Sequence, residues 1–138
     1  MNVPHPGHLV TFGLVALLAG VVIPAAEAAE PMLAHSVMFT LKDRSPESRA
    51  KFVEACEKYL SNHPGVTSFS VGTIAEDVVE PVSDREFDVA LLVVFENKGK
   101  LGEYLKSARH DQFVAECKDS FAKVRVFDTY VAPSKSSK

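Results

Sequence analysis

Two side chains in the second half of the sequence could move protons. His110 has an imidazole whose ordinary pKa of about 6.5 lets it accept or release a proton near neutral pH. Tyr104, six residues earlier, could donate a proton or orient a carbonyl group. His110 also lies where a helix should begin, and the dipole at a helix N-terminus favours the neutral imidazole. The pair could serve as general base and acid, or be a backbone-bonded histidine and a core tyrosine.

The other two histidines of the globular part have plainer interpretations. His35 shares an apolar strand face with Val37 and Phe39, where a single histidine is usually a core residue. If that face lines the interior of the domain, His35 could approach His110. His63 precedes Pro64 at a helix end and is interpreted as a surface cap. The histidine spacing fits no zinc motif, and the acidic segment 76–86 lacks the ligand order of a calcium loop. We expect no metal and no cofactor.

Cys56 and Cys117 each fall on the apolar face of a predicted helix. Both helices should lie on the same side of a sheet, so the two thiols could pair or stay free and buried. Neither cysteine has a nearby histidine or a cluster of basic residues in sequence that would activate a thiolate, so nucleophilic catalysis is not indicated.

Composition excludes several classes of protein. The chain has 138 residues, with 15 Lys and Arg against 18 Asp and Glu, which gives a net charge of −3. This length fits one ordinary domain. The chain has no excess of basic residues that could bind the phosphate backbone of a nucleic acid, so we expect no nucleic acid partner. Two cysteines cannot build a disulfide-rich scaffold or a four-sulfur zinc site.

The N-terminal segment is predicted to be a signal peptide. An uncharged run from Leu9 to Ala25 is followed by the small-x-small pattern Ala26-Glu27-Ala28. We therefore divide the chain into a secretory signal at 1–28, a short linker at 29–33, one domain at 34–132 and a disordered tail at 133–138. The protein would be periplasmic or secreted, without membrane contact after cleavage. The alternative is an uncleaved membrane anchor, for which this run is at the short limit.

Hydrophobic periodicity predicts the elements that would position these groups. A period of two predicts strands at 34–42, 66–74, 87–96 and 124–131. A helix should begin at Ser45-Pro46 and stop at 62–65, and a second helical region should cover 98–105 and 109–122, with a break near Ser107. Phe113, Cys117 and Phe121 would share one face of its second part. The order predicts an α+β domain of ferredoxin-like βαββαβ type, with a four-stranded antiparallel sheet and helices on one face.

The third strand is apolar on both faces. Val89, Leu91, Val93 and Phe95 alternate with Ala90, Leu92 and Val94. Helices on one side of the sheet can cover only one of these sets, and a bare apolar face is unusual for a soluble monomer. The sequence therefore predicts a homodimer in which sheet packs on sheet.

Five short motifs in this order resemble the stress-responsive A/B barrel domain family over residues 34–131. The motifs are His35-Ser36-Val37-Met38-Phe39, Pro64-Gly65-Val66, Phe87-Asp88-Val89-Ala90-Leu91, Tyr104 with His110, and Phe127-Asp128. The resemblance implies a dimeric α+β barrel. It also implies roles for single residues, because the olivetolic acid cyclases of this family close a polyketide by aldol condensation.

The resemblance assigns the acid–base pair to Tyr104 and His110 and adds His35 and Val89 as ligand-binding positions. Val89 stands where those cyclases have a histidine, which makes the site more apolar, and Ser107-Ala108 stands where the family often has His-Pro. Two functions remain open. One is an exported homodimer that binds a small apolar molecule without catalysis. The other is a cofactor-independent cyclase, isomerase or lyase with His110 as general base and Tyr104 as the acid that orients a carbonyl.

Overall fold

A computed structural model describes Met1 and residues 29–132 of the chain. The predicted signal peptide, apart from Met1, and the predicted tail lie outside the described residues. Within them, no helix is long and apolar enough to cross a membrane. The elements are β1 (Leu33–Leu41), α1 (Pro46–Leu60), β2 (Val66–Thr73), β3 (Val89–Phe95), α2 (Lys98–Leu105), α3 (Ala108–Cys117), a 3-10 turn (Lys118–Ser120) and β4 (Phe121–Tyr130).

The four strands form one antiparallel sheet in the order β2-β3-β1-β4. Central β1 pairs on both sides, so Val37 lies opposite Leu91 on β3 and Val126 on β4. Since side chains alternate along a strand, every second residue of β1 from Leu33 to Leu41 faces the helices and is buried. This is the predicted ferredoxin-like α+β fold, which the structure confirms.

Side-chain caps set where each helix begins. The Ser45 hydroxyl accepts a hydrogen bond from the Ser48 N–H at 3.2 Å, and Pro46 is the first residue of α1, as predicted. The Ser107 hydroxyl accepts from the His110 N–H at 3.2 Å. The predicted break at Ser107 is therefore confirmed, and it makes His110 the third residue of α3.

The prediction for Phe121 is wrong. Phe121 was expected on a helix face, but α3 ends at Cys117 and Phe121 is the first residue of β4, opposite Leu41. A hydrogen bond from the Lys42 N–H to the Ser120 carbonyl at 2.9 Å joins the end of the 3-10 turn to β1, which starts the strand there. The ring still reaches the core, because Phe39 and Phe52 lie 5.4 and 5.6 Å from it between ring centroids.

The face of the sheet opposite the helices is uncovered, as predicted for β3. Ala90 and Val94 are partly exposed on it and Leu92 is 40% exposed. Phe127, which lies opposite Ser36 in the register and shares this face, is 49% exposed. We call this surface the open face.

A buried carboxylate fastens one end of the sheet to α1. Asp88 is fully buried, accepts a hydrogen bond from the Leu41 N–H at 2.9 Å, and pairs with Arg44 Nε at 3.0 Å and Arg49 Nη2 at 2.9 Å. Burial by itself would raise the pKa of Asp88, but the backbone N–H and the two guanidinium groups outweigh it and hold the pKa below its ordinary value. The carboxylate therefore stabilises the fold in its charged form.

Replacing Asp88 should destabilise the protein strongly. Asp88→Ala leaves the Leu41 N–H and the Nε and Nη2 of the mostly buried Arg49 without their acceptor, so we expect a loss of about 2–4 kcal/mol in the free energy of unfolding in urea at pH 7. Asp77→Ala, in the exposed loop, is the control and should change little. The stabilisation is present above the ordinary carboxyl pKa and is lost as pH falls through the lowered value, so the difference should shrink in acid. Equal stability of the two variants at pH 7 would contradict this.

Candidate functional site

The Tyr104 ring lies at the centre of a cluster of rings. Tyr104 is 2% exposed on α2. Its ring makes edge-to-face contacts with His63, His110 and His35, at centroid distances of 4.8, 5.1 and 6.2 Å, and a tilted contact with Phe95 at 5.1 Å. The structure thus brings together Tyr104, His110 and His35, although His35 lies on the first strand and the other two lie on the last two helices.

His35 is held by a carboxylate on the neighbouring strand. Its Nδ1 lies 2.6 Å from Asp128 Oδ1, and the two residues are opposite one another in the β1–β4 register. A carboxylate can only accept, so Nδ1–H donates and the lone pair of the neutral ring stays on Nε2. Sequence reasoning missed Asp128 as a site residue. The signal was its strand register, which places it on the helix-facing side with His35.

His63 belongs to the same cluster, and its interpretation as a surface residue is wrong. It is 7% exposed, and its Nε2 lies 2.9 Å from the Tyr59 carbonyl at the end of α1. Asn62 adopts a left-handed backbone with a φ of 55°, which turns the chain after α1 and directs the imidazole inward. A helix stop in the sequence does not reveal on which side the next side chain points.

The surroundings push His110 and Tyr104 towards complementary protonation states. Burial lowers the pKa of His110; Asp111 opposes this, while His35 and His63 lower the pKa further. The ring is therefore a neutral base at pH 7. Burial, with a smaller effect of Cys56, raises the pKa of Tyr104, so its hydroxyl remains a proton donor. A base and a donor in contact are the arrangement that general acid–base chemistry uses.

Val89 is not part of this cluster. It lies opposite Phe39 and Thr73 at the far end of β3, whereas His35 lies opposite Val93. Val89 is fully buried, and its cross-strand neighbour Phe39 belongs to the phenylalanine core with Phe52 and Phe113. Val89 faces the helices, as His35 does, but a four-residue offset along β3 separates it from the position opposite His35.

An uncovered apolar strip leads to the cluster along β4. The register places Val124, Val126 and Tyr130 on the helix-facing side, as it does Asp128. These residues are 41%, 49% and 61% exposed, because within β4 only Phe121 packs against the core. We call these three residues the β4 strip. On α3, Val114 is 40% exposed one turn after His110.

The cysteines and acidic groups offer no second reaction centre in the described part. Cys56 and Cys117 are both buried and free, and burial raises the pKa of Cys56 to about 12, so it is a thiol and not a nucleophilic thiolate. No group of three or more His, Cys, Asp or Glu residues within the described ranges could hold a metal ion.

The model of the family described as "Stress responsive A/B Barrel Domain" matches residues 33–131. The chain belongs to this family. No curated protein matches the chain.

Solved structures show the same fold. A protein of this family from Mesorhizobium loti, described as ferredoxin-like, is 26% identical, with a TM-score of 0.61 over 76% of this chain and 100% of that one. A dimeric ferredoxin-like protein from Thermobifida fusca is 13% identical, with a TM-score of 0.62 over 78% and 97%. The hydroxynitrile lyase of Passiflora edulis is 20% identical, with a TM-score of 0.59 over 77% and 97%.

Proposed function

We propose that this stress-responsive A/B barrel protein is exported and acts as a homodimer that binds a small, largely apolar molecule next to Tyr104 and His110. The observation that carries the proposal is the β4 strip, whose exposed side chains lead to the polar cluster on the same side of the sheet. Exposed apolar side chains that border a few convergent polar groups are typical of ligand sites.

The strip and the cluster together define the kind of ligand. From Val124 to Asp128 the strand rises by about 13 Å, which fits a medium-length apolar chain or two fused rings. At its end, Tyr104 provides a hydroxyl donor and His110 a neutral acceptor. We therefore infer that the ligand has an apolar body and one polar end, such as a ketone or an enol.

The open face supports the homodimer. Leu92 and Phe127 are 40% and 49% exposed on it, and a second copy packed face to face would bury both. The Thermobifida fusca protein of the same fold is described as dimeric. Export is inferred from the uncharged run Leu9 to Ala25 and the small residues after it.

Ligand binding should depend on the β4 strip. The probe is the fluorescent aryl ketone 6-propionyl-2-dimethylaminonaphthalene, whose emission changes when it enters an apolar site. We expect saturable binding to the protein, and at least about tenfold weaker binding to Val126→Asp, because a charge then replaces an apolar contact. Val79→Asp, at an exposed loop valine, is the matched control and should bind as the natural protein does. Equal binding by all three would contradict the site.

The dimer should depend on the open face. Leu92→Lys introduces a charge at a position that the partner would bury, so sedimentation velocity at micromolar concentration should show a monomer. The natural protein and Val79→Lys should sediment as dimers. A monomeric natural protein would refute the homodimer without affecting the ligand site.

A second candidate function is proton transfer on the bound molecule. It is favoured by the contact between the neutral His110 ring and the ring of Tyr104, whose hydroxyl keeps its proton; the two ring centroids are 5.1 Å apart. From an acidic carbon, His110 would take the proton while the electron pair of the C–H bond moves towards the carbonyl oxygen, to which Tyr104 donates a hydrogen bond, and the imidazolium would return the proton to the product. From a cyanohydrin, His110 would take the hydroxyl proton, the electron pair left on that oxygen would form the C=O bond as the C–CN bond breaks, and the imidazolium would protonate the released cyanide. The same fold carries a hydroxynitrile lyase in Passiflora edulis, which makes the lyase version of this chemistry a reasonable first test.

The catalytic candidate requires turnover that depends on His110. With a panel of β-diketones, enol lactones and cyanohydrins, we expect His110→Gln to lower the rate about 10²- to 10⁴-fold while ketone-probe binding persists. The active form is the neutral base, so the rate should rise as pH increases through the lowered pKa of His110. It should then stay level at neutral pH, because the raised pKa of Tyr104 keeps the donor protonated. An unchanged rate in His110→Gln would exclude this mechanism.

A further inference from the structure

His63 contacts the Tyr104 ring more closely than any other ring of the cluster does. The centroids are 4.8 Å apart and the ring planes are nearly perpendicular, at 83°. His63 is 7% exposed, although it lies in the turn between α1 and β2. Burying an imidazole in a connecting turn costs free energy unless its polar atoms form hydrogen bonds, so such a residue is typically kept for a structural or functional reason.

One hydrogen bond orients the His63 ring. The Tyr59 carbonyl can only accept, so His63 Nε2–H donates to it. The bond also ties the imidazole to the last turn of α1, so the ring cannot rotate away from Tyr104 without breaking it. The His110 ring, in contrast, has no hydrogen-bond partner among residues 29–132, so its protonation depends on the groups packed around it.

We propose that His63 is a positioning residue of the site, which holds the Tyr104 ring in place and, as a second imidazole against the same ring as His110, disfavours a proton on His110. This inference rests on the proposed site at Tyr104 and His110. Two positive charges against one poorly hydrated phenol ring repel each other, so a basic group at position 63 makes protonation of His110 less favourable. His63 would thereby help to keep His110 in the neutral form in which it can act as a base or an acceptor.

The groups around His110 shift its pKa in both directions. On its own helix, Asp111 favours the protonated ring, and Asp128 on β4 is occupied by its bond to His35 on β1. His35 and His63 favour the neutral ring, while Tyr104 on α2 stays uncharged. Of these groups, His63 is the one that the α1–β2 turn contributes, so it can be changed without altering a strand or the helix of His110.

The test is an NMR titration of the histidine ring carbons in the ligand-free protein. His63→Phe keeps an aromatic ring against Tyr104 and removes the basic group. His63→Gln keeps an N–H that can reach the Tyr59 carbonyl and also removes the basic group. Phe95→Leu is the control, because it removes a ring contact to Tyr104 without changing any charge. The His110 signals are assigned from His110→Gln.

We expect the titration midpoint of His110 to move to higher pH in both His63 variants and to stay in place in Phe95→Leu. An unchanged His110 midpoint in His63→Phe and His63→Gln would overturn the inference, as would an equal shift in Phe95→Leu, which would make packing the cause. Loss of the folded state in both His63 variants would show that His63 has only a structural role. Because no ligand is present, failure here is distinct from failure of the ketone-probe experiment.

Discussion

The pairing of β1 with strands on both of its edges is the constraint on which the site depends. β1 supplies Leu33, Val37, Phe39 and Leu41 to the core, and the same alternation places His35 on that face. Its partner β4 then has to present Asp128 directly opposite His35. At the other end of β1, Asp88 accepts the Leu41 N–H and joins the sheet to the start of α1 through Arg49. The ionic connection and the histidine cluster therefore lie at opposite ends of one strand.

The cluster around Tyr104 is polar, yet it is compatible with burial because its polar groups are either hydrogen-bonded or kept in the neutral form. His35 and His63 each have one ring nitrogen satisfied, by a carboxylate and a backbone carbonyl respectively. Burial keeps the proton off His110 and on Tyr104. The interior thus avoids the large cost of isolated charges while it retains groups that can exchange a proton. A core built only for stability would gain more from apolar side chains at these positions.

Local sequence signals predicted the elements well, and long-range geometry only in part. The Ser45 cap and the break at Ser107 follow from residue type and periodicity, whereas the approach of His35 to His110 depends on which face of β1 lies inside, which periodicity leaves open. The positions that were missed depend on geometry that no local pattern contains. Asp128 requires the register between β1 and β4, and His63 requires the backbone turn at Asn62. Phe121 fits both a helical and a strand period, and the 3-10 turn decides between them. The distance of Val89 along β3 from the position opposite His35 likewise depends on the β1–β3 register.

Successive residues of β4 belong alternately to two different surfaces of the protein. Val126 belongs to the strip beside the cluster, Phe127 to the open face, and Asp128 to the histidine site. An insertion of one residue in the first half of this strand would exchange the two sides, placing Phe127 next to His35 and Asp128 on the open face. Point substitutions along β4 can therefore change one surface at a time. Length changes there would alter the proposed ligand site and the proposed dimer surface together, so evolution of this strand should proceed by replacement and not by insertion.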